Sequence, residues 1–366
     1  MIRIGVDARE ILGDATGVGR YLSELLMRWT SRADASLRRF VLFAPEEITL
    51  SLPRDHVETR VLRAAHGGTL WEQTQLRQAV GRERLDRFFA PAYTAPVGLS
   101  VPFALTIHDV SFLAHPEWFR PRERLRRRWL TRHSARSAGV VLTDSVFSRN
   151  EIVRHIGLDA ARIRVVPPGI SPRHAAVGTP APRRERLVLF VGTVLNRRRV
   201  PQLIDAFAVA AADLPDARLV IVGADRTWPM QDLGSVAARL GVTKKVEVRS
   251  YVGDAELASL YARASVFVFL SEYEGFGLTP LEALSAGVRT VMLDTPVARE
   301  VCGPAATYVS PAASVTDTAW VIRGLLLDRS AAREQMAAAP AVLARYSWED
   351  AANRTLEAIE TLPARK

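Results

Sequence analysis

Short runs of Val, Leu, Ile and Phe alternate with helix-period segments along almost the whole chain, and the alternation occurs in two series. IRIGV (2–6), RFVLFA (39–44), RFFAPA (87–92), FALTIH (103–108) and GVVLTDS (139–145) make the first. LVLFVGT (187–193), ARLVIVG (217–223), VEVRSYV (246–252), SVFVFLS (265–271) and RTVMLD (289–294) make the second. Continuous apolar runs, without strict polar alternation, mark strands buried on both faces, as in parallel sheets. Amphipathic segments at 200–213, 229–240, 254–263 and 279–286 supply the crossover helices. The pattern predicts an α/β protein of two Rossmann-like doubly wound domains. SPRHAAVGTPAPRRER (171–186), with three prolines and no apolar period, suits an extended connection. The expected division is 1–172, a linker at 173–184, a second domain at 185–345, and a last helix within 346–366 that packs back on the first domain. Two such domains facing each other leave a cleft at the carboxyl ends of their sheets, where ligands bind.

Charge narrows the ligand. Of 49 basic residues only three are lysines, and against 39 acids the chain carries +10. Residues 1–172 hold +8 of that total. Such a balance asks for an anionic partner: nucleic acid, an anionic membrane face or phosphorylated substrates. One cysteine, Cys302, excludes an internal disulfide framework. No apolar run is long enough to span a bilayer, and the start of the chain does not read as a signal peptide. A cytoplasmic protein is expected.

The richest segment is SVFVFLSEYEGFGLTPLEALSAG (265–287). A buried strand ends near Ser271, a loop with two carboxylates and two glycines follows, and a helix is predicted to open at Thr279. Thr279 is the expected N-cap, with Pro280 at the first helical position and Glu282 three beyond the cap. Free N–H groups at a helix start attract anions, and Gly275 and Gly277 permit close approach. Glu274 and Glu282 then either bind two sets of ligand hydroxyls or serve as a solvated loop acid and a capping-box acid.

EGFGLTPLEALSAG resembles the hallmark of retaining glycosyltransferases of the GT-B fold, glycosyltransferase family 4, which has two glutamates separated by seven residues. It departs at Thr279 and Ser285, neither of which removes a functional group. FVGTVLNRRRVPQLIDAF (190–207) is similar to the family's donor-phosphate loop, with Gly192 and Thr193 leading to Arg197 and Arg198. Arg198 stands where lysine is usual, Asn196 where proline is usual and Arg199 where asparagine is usual. The resemblance implies that Arg197 and Arg198 neutralise the donor diphosphate. It also implies that Glu274 binds the donor sugar's hydroxyls and Glu282 the ribose. Gly275, Phe276, Gly277, Leu278 and Thr279 would supply groups to sugar and phosphate, and Ser250, Tyr251 and Val252 would meet the nucleotide base. VAREVCG (297–303) matches a further family segment, in which Glu300 reads as structural.

In the first half, GVDAREILGDATGVGRYLSELL (5–26) reads as a strand, a loop holding Gly13, Gly17 and Gly19, and an amphipathic helix. The family uses this loop near donor phosphates and acceptor, which implicates Gly17 and Gly19 for the donor and Gly17, Arg20 and Tyr21 for the acceptor. LWEQTQLRQAV (70–80) and FFAPAYTAPV (88–97) are similar to segments of bacterial mannosyltransferases of polysaccharide and O-antigen assembly. TIHDVSFLAHPEWF (106–119) matches at its His–Asp pair, which implies that His108 faces the donor sugar and Asp109 orients the acceptor side. TDSVFSRNEI (143–152) brings Ser145 to the same side.

Residues 116–138 carry most of the excess charge, interleaved with Trp118, Phe119 and Trp129. The stretch is either an ordinary solvated arginine face or a surface for an anionic membrane or diphosphate-linked lipid, peripheral on the inner face of the cytoplasmic membrane. No nucleic-acid-binding motif accompanies it, so nucleic acid is not an expected partner. No Asp-x-Asp occurs, so no metal is expected and arginines would carry the diphosphate. The expected activity is metal-independent, retaining transfer of a hexose, mannose or a related deoxyhexose, from a GDP-sugar as cosubstrate. The acceptor is a glycan or polyprenyl-diphosphate-linked lipid. UDP- or dTDP-sugar donors are the alternative within the family, and a non-catalytic sugar-nucleotide or membrane-binding module is the alternative outside it.

Overall fold

A computed structural model describes residues 1–13, 17–53, 55–63, 68–171, 184–328 and 330–363. Of the expected linker 173–184, all but Arg184 lies outside the described residues. Two compact units account for the chain. Unit 1 comprises 1–116, 121–169 and 346–366; unit 2 comprises 117–120 and 170–345.

Unit 1 is built on seven parallel strands: β1 (Ile2–Asp7), β2 (Arg38–Ala44), β3 (Val57–Val61), β4 (Arg87–Ala90), β5 (Phe103–Thr106), β6 (Val140–Thr143) and β7 (Ile163–Val165). Their order is β3-β2-β1-β4-β5-β6-β7. Unit 2 has six: β8 (Leu187–Val191), β9 (Arg218–Val222), β10 (Val246–Arg249), β11 (Val266–Phe269), β12 (Arg289–Leu293) and β13 (Thr307–Val309), ordered β10-β9-β8-β11-β12-β13. All pairings are parallel, for example Val266 with Val188 and with Arg289. In each sheet the first strand lies inside, and the chain reverses its direction of travel between the first strand and the fourth. That reversal opens a crevice at the carboxyl ends of β1 and β4 and of β8 and β11. The strand interiors are closed to water, as at β8 and β11, where every residue is buried. The sequence reading missed β3, β7 and β13. VETRV (57–61) places Glu58 and Arg60 on an edge strand, so it lacks the continuous apolar run.

The C-terminal helix Trp348–Glu360 belongs to unit 1. Its residues Trp348, Ala351, Ala352, Thr355, Leu356 and Ile359 repeat at three- and four-residue spacing and are all buried. Trp29 of the helix Gly17–Ser31 donates its indole N–H to the Ala352 carbonyl at 2.8 Å. Close approach here depends on one glycine: a Cβ on Gly169 would lie 2.0 Å from the Trp348 backbone nitrogen. Gly169→Ala is therefore expected to destabilise unit 1 by about 1–3 kcal/mol through overpacking. Denaturant unfolding checks this, and an unchanged midpoint would show that the C-terminal helix is not seated so tightly.

Candidate functional site

The loops at the reversal point of the unit 2 sheet bring together residues far apart in sequence. After β8, Gly192 and Thr193 lead into a short turn, Asn196–Arg198; after β11, the loop from Ser271 reaches the helix Leu278–Ser285. Arg198 Nε donates to Glu274 Oε1 at 2.7 Å, and Arg197 Nη2 lies 3.5 Å from Glu274 Oε2. Ser271 Oγ adds a third donor to Glu274 at 2.9 Å. Arg198 is fixed from two further sides. Its Nη1 donates to the Thr193 carbonyl at 2.9 Å, and its guanidinium lies 5.0 Å from the Phe269 ring centroid. The three charged side chains are only 11–14% exposed.

Burial pushes the Glu274 carboxyl up, but the charges of Arg198 and Arg197, with the Arg198 and Ser271 hydrogen bonds, outweigh it and bring it down to about 2. Glu274 is thus a fixed anion, suited to accepting hydrogen bonds from hydroxyls and unsuited to proton transfer near neutrality. Two arginines against one carboxylate leave a net positive charge, which suits a diphosphate.

Backbone geometry makes room for the Arg198 side chain. Gly192 has φ 138°, and a Cβ there would meet Arg198 Nη1 at 2.5 Å. Arg199 is one of two non-glycine residues among those described with positive φ, at 48°. It is held by Glu272, with Nε to Oε1 at 2.6 Å, and Nη1 donates to the Pro311 carbonyl at 3.1 Å. The asparagine usual at this position in the resembling sequences suits such a left-handed turn.

The helix start differs from the sequence reading. Gly277, not Thr279, occupies the N-cap, with φ 112° and ψ 67°, and no side chain caps the helix. Its left-handed backbone turns the chain into the helix earlier, so Leu278 opens it, Thr279 follows, and Pro280 completes a turn whose N–H groups have no helical partner. Glu282 makes no capping box; it is 3% exposed, and the Tyr261 hydroxyl donates to its Oε2 at 3.2 Å. Gly275 and Phe276 are buried. Ser250 and Tyr251, just past β10, are exposed, whereas Val252 is buried.

In unit 1, His108 follows β5, with Nδ1 2.8 Å from Asp144 Oδ2 and Nε2 3.0 Å from the Pro91 carbonyl. Asp109 Oδ1 accepts from the Ser111 N–H at 2.8 Å and its Oγ at 2.7 Å, and Oδ2 accepts from the Tyr93 hydroxyl at 3.4 Å. Tyr93 is the other positive-φ residue, at 57°, so both left-handed side-chain residues flank candidate sites. Ser145 caps the helix Val146–Ile156 by accepting from the Ser148 N–H at 3.0 Å. Tyr21 is 2% exposed, its ring edge-on to His108 at 5.1 Å. Gly17 and Gly19 were expected in a loop, yet the helix begins at Gly17 and includes Gly19 and Arg20. Their N–H groups therefore belong to a helix N-terminus, whose preceding residues 14–16 lie outside the described part. The sequence reading missed Asp144, Ser271 and Tyr93. Only the first carries a signal, an acid at the end of a buried strand in TDS (143–145).

The basic stretch 116–138 is mostly the helix Pro121–Ser137, with seven arginines and one glutamate. Trp129 is 60% and Leu125 58% exposed. Together with Arg128, Arg132, His133 and Arg136 they line one shallow groove. Burial and the neighbouring Arg128 and Arg136 hold Arg132 below the usual arginine value. Among the described residues no helix is long and apolar enough to cross a membrane, and no group of three or more His, Cys, Asp or Glu could hold a metal ion.

Comparison with known proteins follows the same lines. A model described as Glycosyltransferase Family 4 matches residues 15–174, and one described as Glycosyl transferases group 1 matches residues 176–341. O-antigen chain mannosyltransferase B of Escherichia coli is 31% identical over 267 residues, covering 70% of each chain. A GDP-mannose:cellobiosyl-diphosphopolyprenol alpha-mannosyltransferase of Komagataeibacter xylinus is 29% identical over 225 residues, 57% of this chain and 52% of that one. The alignment thus spans about half the length of the second relative. The crystal structure of WaaG, a glycosyltransferase involved in lipopolysaccharide biosynthesis, superposes with a TM-score of 0.76 over 98% of this chain and all of that one, at 17% identity.

Two doubly wound units of this strand order have the GT-B architecture. The chain belongs to glycosyltransferase family 4 and is a glycosyltransferase of the mannosyltransferase-like branch.

Proposed function

We propose that the enzyme transfers mannose or a related deoxyhexose, with retention of configuration, from a GDP-sugar to a glycan or polyprenyl-diphosphate-linked acceptor at the cytoplasmic face of the membrane. The single observation that carries this reading is the Arg197–Glu274–Arg198 arrangement beside Gly192 and Gly277. It offers a fixed carboxylate for sugar hydroxyls and surplus guanidinium charge for a diphosphate. Unit 2 is then the donor domain and unit 1 the acceptor domain, with Glu282 serving the ribose and Ser250–Val252 the base. GDP and mannose are favoured by the names of the relatives, one of which uses GDP-mannose and a diphosphopolyprenol-linked acceptor.

The chemistry follows from what Glu274 lacks. A covalent intermediate needs a nucleophilic carboxylate on the face opposite the leaving group, whereas Glu274 is committed to two arginines and a serine. The reading is a same-face substitution. The bond from the sugar's anomeric carbon to the diphosphate breaks, the acceptor oxygen bonds to that carbon, and a diphosphate oxygen takes the acceptor proton. Arg197 and Arg198 stabilise the charge gathering on the leaving diphosphate. A thermal-shift panel of nucleotide diphosphates and sugar nucleotides tests the donor. Stabilisation by GDP and GDP-mannose alone is the expected result, and stabilisation by UDP- or dTDP-sugars alone would move the enzyme to another donor class.

The arginine helix is the proposed contact with an anionic membrane. Trp129 and Leu125 supply an exposed apolar tip among cations that repel one another, and a negative surface relieves that repulsion. Arg128→Glu with Arg136→Glu is expected to abolish co-sedimentation with phosphatidylglycerol vesicles, losing about 1 kcal/mol or more per charge. Equal sedimentation of wild type and variant would overturn this assignment.

A further inference from the structure

His108 poses a proton-counting problem whose answer bears on what unit 1 contributes to the reaction. Both ring nitrogens point at acceptors: Nδ1 at Asp144 Oδ2, 2.8 Å away, and Nε2 at the Pro91 carbonyl oxygen, 3.0 Å away. A carbonyl oxygen can only accept, so Nε2 must carry a proton. Opposite an ionised Asp144, which can only accept as well, Nδ1 carries the second. The His108 side chain is 13% exposed and that of Asp144 9%, so water does not compete freely for either contact. Asp144 Oδ1 is buried and, among the described residues, has no hydrogen-bond partner, which leaves His108 as the group that answers the Asp144 charge by direct contact.

The surroundings keep the ring in this pose. Tyr21, from the helix Gly17–Ser31, and Tyr93, from the loop after β4, meet it edge-on, at 5.1 Å and 86° and at 5.8 Å and 70°. The Ser148 hydroxyl donates to the His108 carbonyl at 3.1 Å, fixing the backbone. The charged and titratable groups facing the ring are Asp144 beyond β6, Asp109 beside it, and the two tyrosines.

We propose that Asp144 is a positioning residue for glycosyl transfer, holding His108 as an imidazolium that supplies a fixed positive charge at the carboxyl end of the unit 1 sheet and cannot serve as a base. Resting on the glycosyl-transfer reading, this assigns a role to a residue that neither motif nor resemblance singled out. With both N–H groups spent on protein acceptors, His108 has no lone pair with which to take the acceptor hydroxyl's proton. It presents only charge and its C–H edge to an anionic or electron-rich oxygen, and the proton must leave by another route, as in the same-face substitution. Burial opposes the cation, but the Asp144 charge and hydrogen bond, the Pro91 carbonyl and Asp109 outweigh it and raise the His108 pKa above the ordinary histidine value.

Nitrogen-15 side-chain spectra of the unliganded full-length protein test this, with His108→Gln assigning the signal among seven histidines. Both ring nitrogens of His108 should stay protonated to a higher pH than those of an ordinary histidine. Asp144→Asn should lower the midpoint by about one to three pH units. The alkaline limb of the Asp144→Asn turnover profile should move down with it, and Asp144→Glu should restore both. A wild-type His108 ring that loses its proton at or below the ordinary histidine value, or an Asp144→Asn midpoint unmoved from the wild type, would overturn the proposal. Should Asp144→Asn fail to fold, the wild-type spectrum alone decides. Because the spectrum needs no substrate, absence of transfer from any nucleotide sugar would sink the functional reading while leaving this result standing.

Discussion

Arg198→Ala is expected to lower kcat/KM for the sugar nucleotide by about 10²–10³-fold, the cost of removing one preorganised group that meets developing charge. The size of the effect follows from how completely Arg198 is fixed before substrate arrives. Glu274 holds Nε at 2.7 Å, the Thr193 carbonyl holds Nη1 at 2.9 Å, and the Phe269 ring supports the guanidinium plane at 5.0 Å. A group held from three sides needs little reorganisation as the diphosphate departs. Arg198→Lys separates charge from geometry. Lysine restores the charge but not the planar fork, so it should recover part of the loss, with kcat responding more than stability. Steady-state kinetics with both variants, beside circular dichroism to verify folding, provides the check. Unchanged turnover in Arg198→Ala would remove the arginine from the site.

Glu274→Gln should cost about 10- to 100-fold or more in kcat/KM, because a neutral amide replaces a carboxylate accepting charge-assisted hydrogen bonds. It should also destabilise unit 2, since two part-buried guanidinium groups lose their counter-charge. The pH dependence of that destabilisation is specific. Glu274 is brought from 4.5 to about 2 in the folded protein, so its stabilising effect is fully present above its unfolded value. The effect is lost as pH falls through the folded value. The stability difference between wild type and Glu274→Gln should therefore be constant above about pH 5 and shrink steadily as the pH falls further. Paired denaturant titrations across that range measure it. A difference that fades above about pH 5 would mean that the arginines do not hold Glu274 as described.

Much of this architecture could be read from residue order, for a physical reason. A strand buried on both faces must be apolar throughout, so LVLFV (187–191) and VFVF (266–269) declare themselves without partners. Edge strands need only one good face, and VETRV (57–61) accordingly passed unnoticed. Helix starts were less legible. Thr279 has the chemistry of an N-cap, but φ at Gly277 decides where the helix begins, and a torsion angle is not written in a side chain. The glutamates and arginines of the loops after β8 and β11 were legible as types at motif spacing. Their pairing was not: Arg198 and Glu274 are 76 residues apart and meet only because β8 and β11 are neighbours. The same holds for His108 and Asp144, 36 residues apart at the ends of adjacent strands.

The +10 charge also acquires addresses in the fold. In unit 2, many arginines are already answered by carboxylates, as in the pairs Arg186–Asp216, Arg263–Glu185 and Arg299–Asp294. The loops after β8 and β11 differ in setting two guanidinium groups against one acid. In unit 1, the helix Pro121–Ser137 leaves Arg122, Arg126, Arg128 and Arg136 exposed along with Trp129. One excess is a part-buried, preorganised cluster, the proposed diphosphate site, and the other an open surface, the proposed membrane contact.

The central claim, that Arg197, Arg198 and Glu274 hold the diphosphate and sugar of a nucleotide-linked hexose, is tested most directly by calorimetric titration of GDP-mannose and GDP into wild type and Arg198→Ala. The account predicts one site in the wild type and affinity for both ligands weakened by about tenfold or more in the variant, the loss of one charge-assisted contact. Equal binding of both ligands to wild type and variant would contradict it.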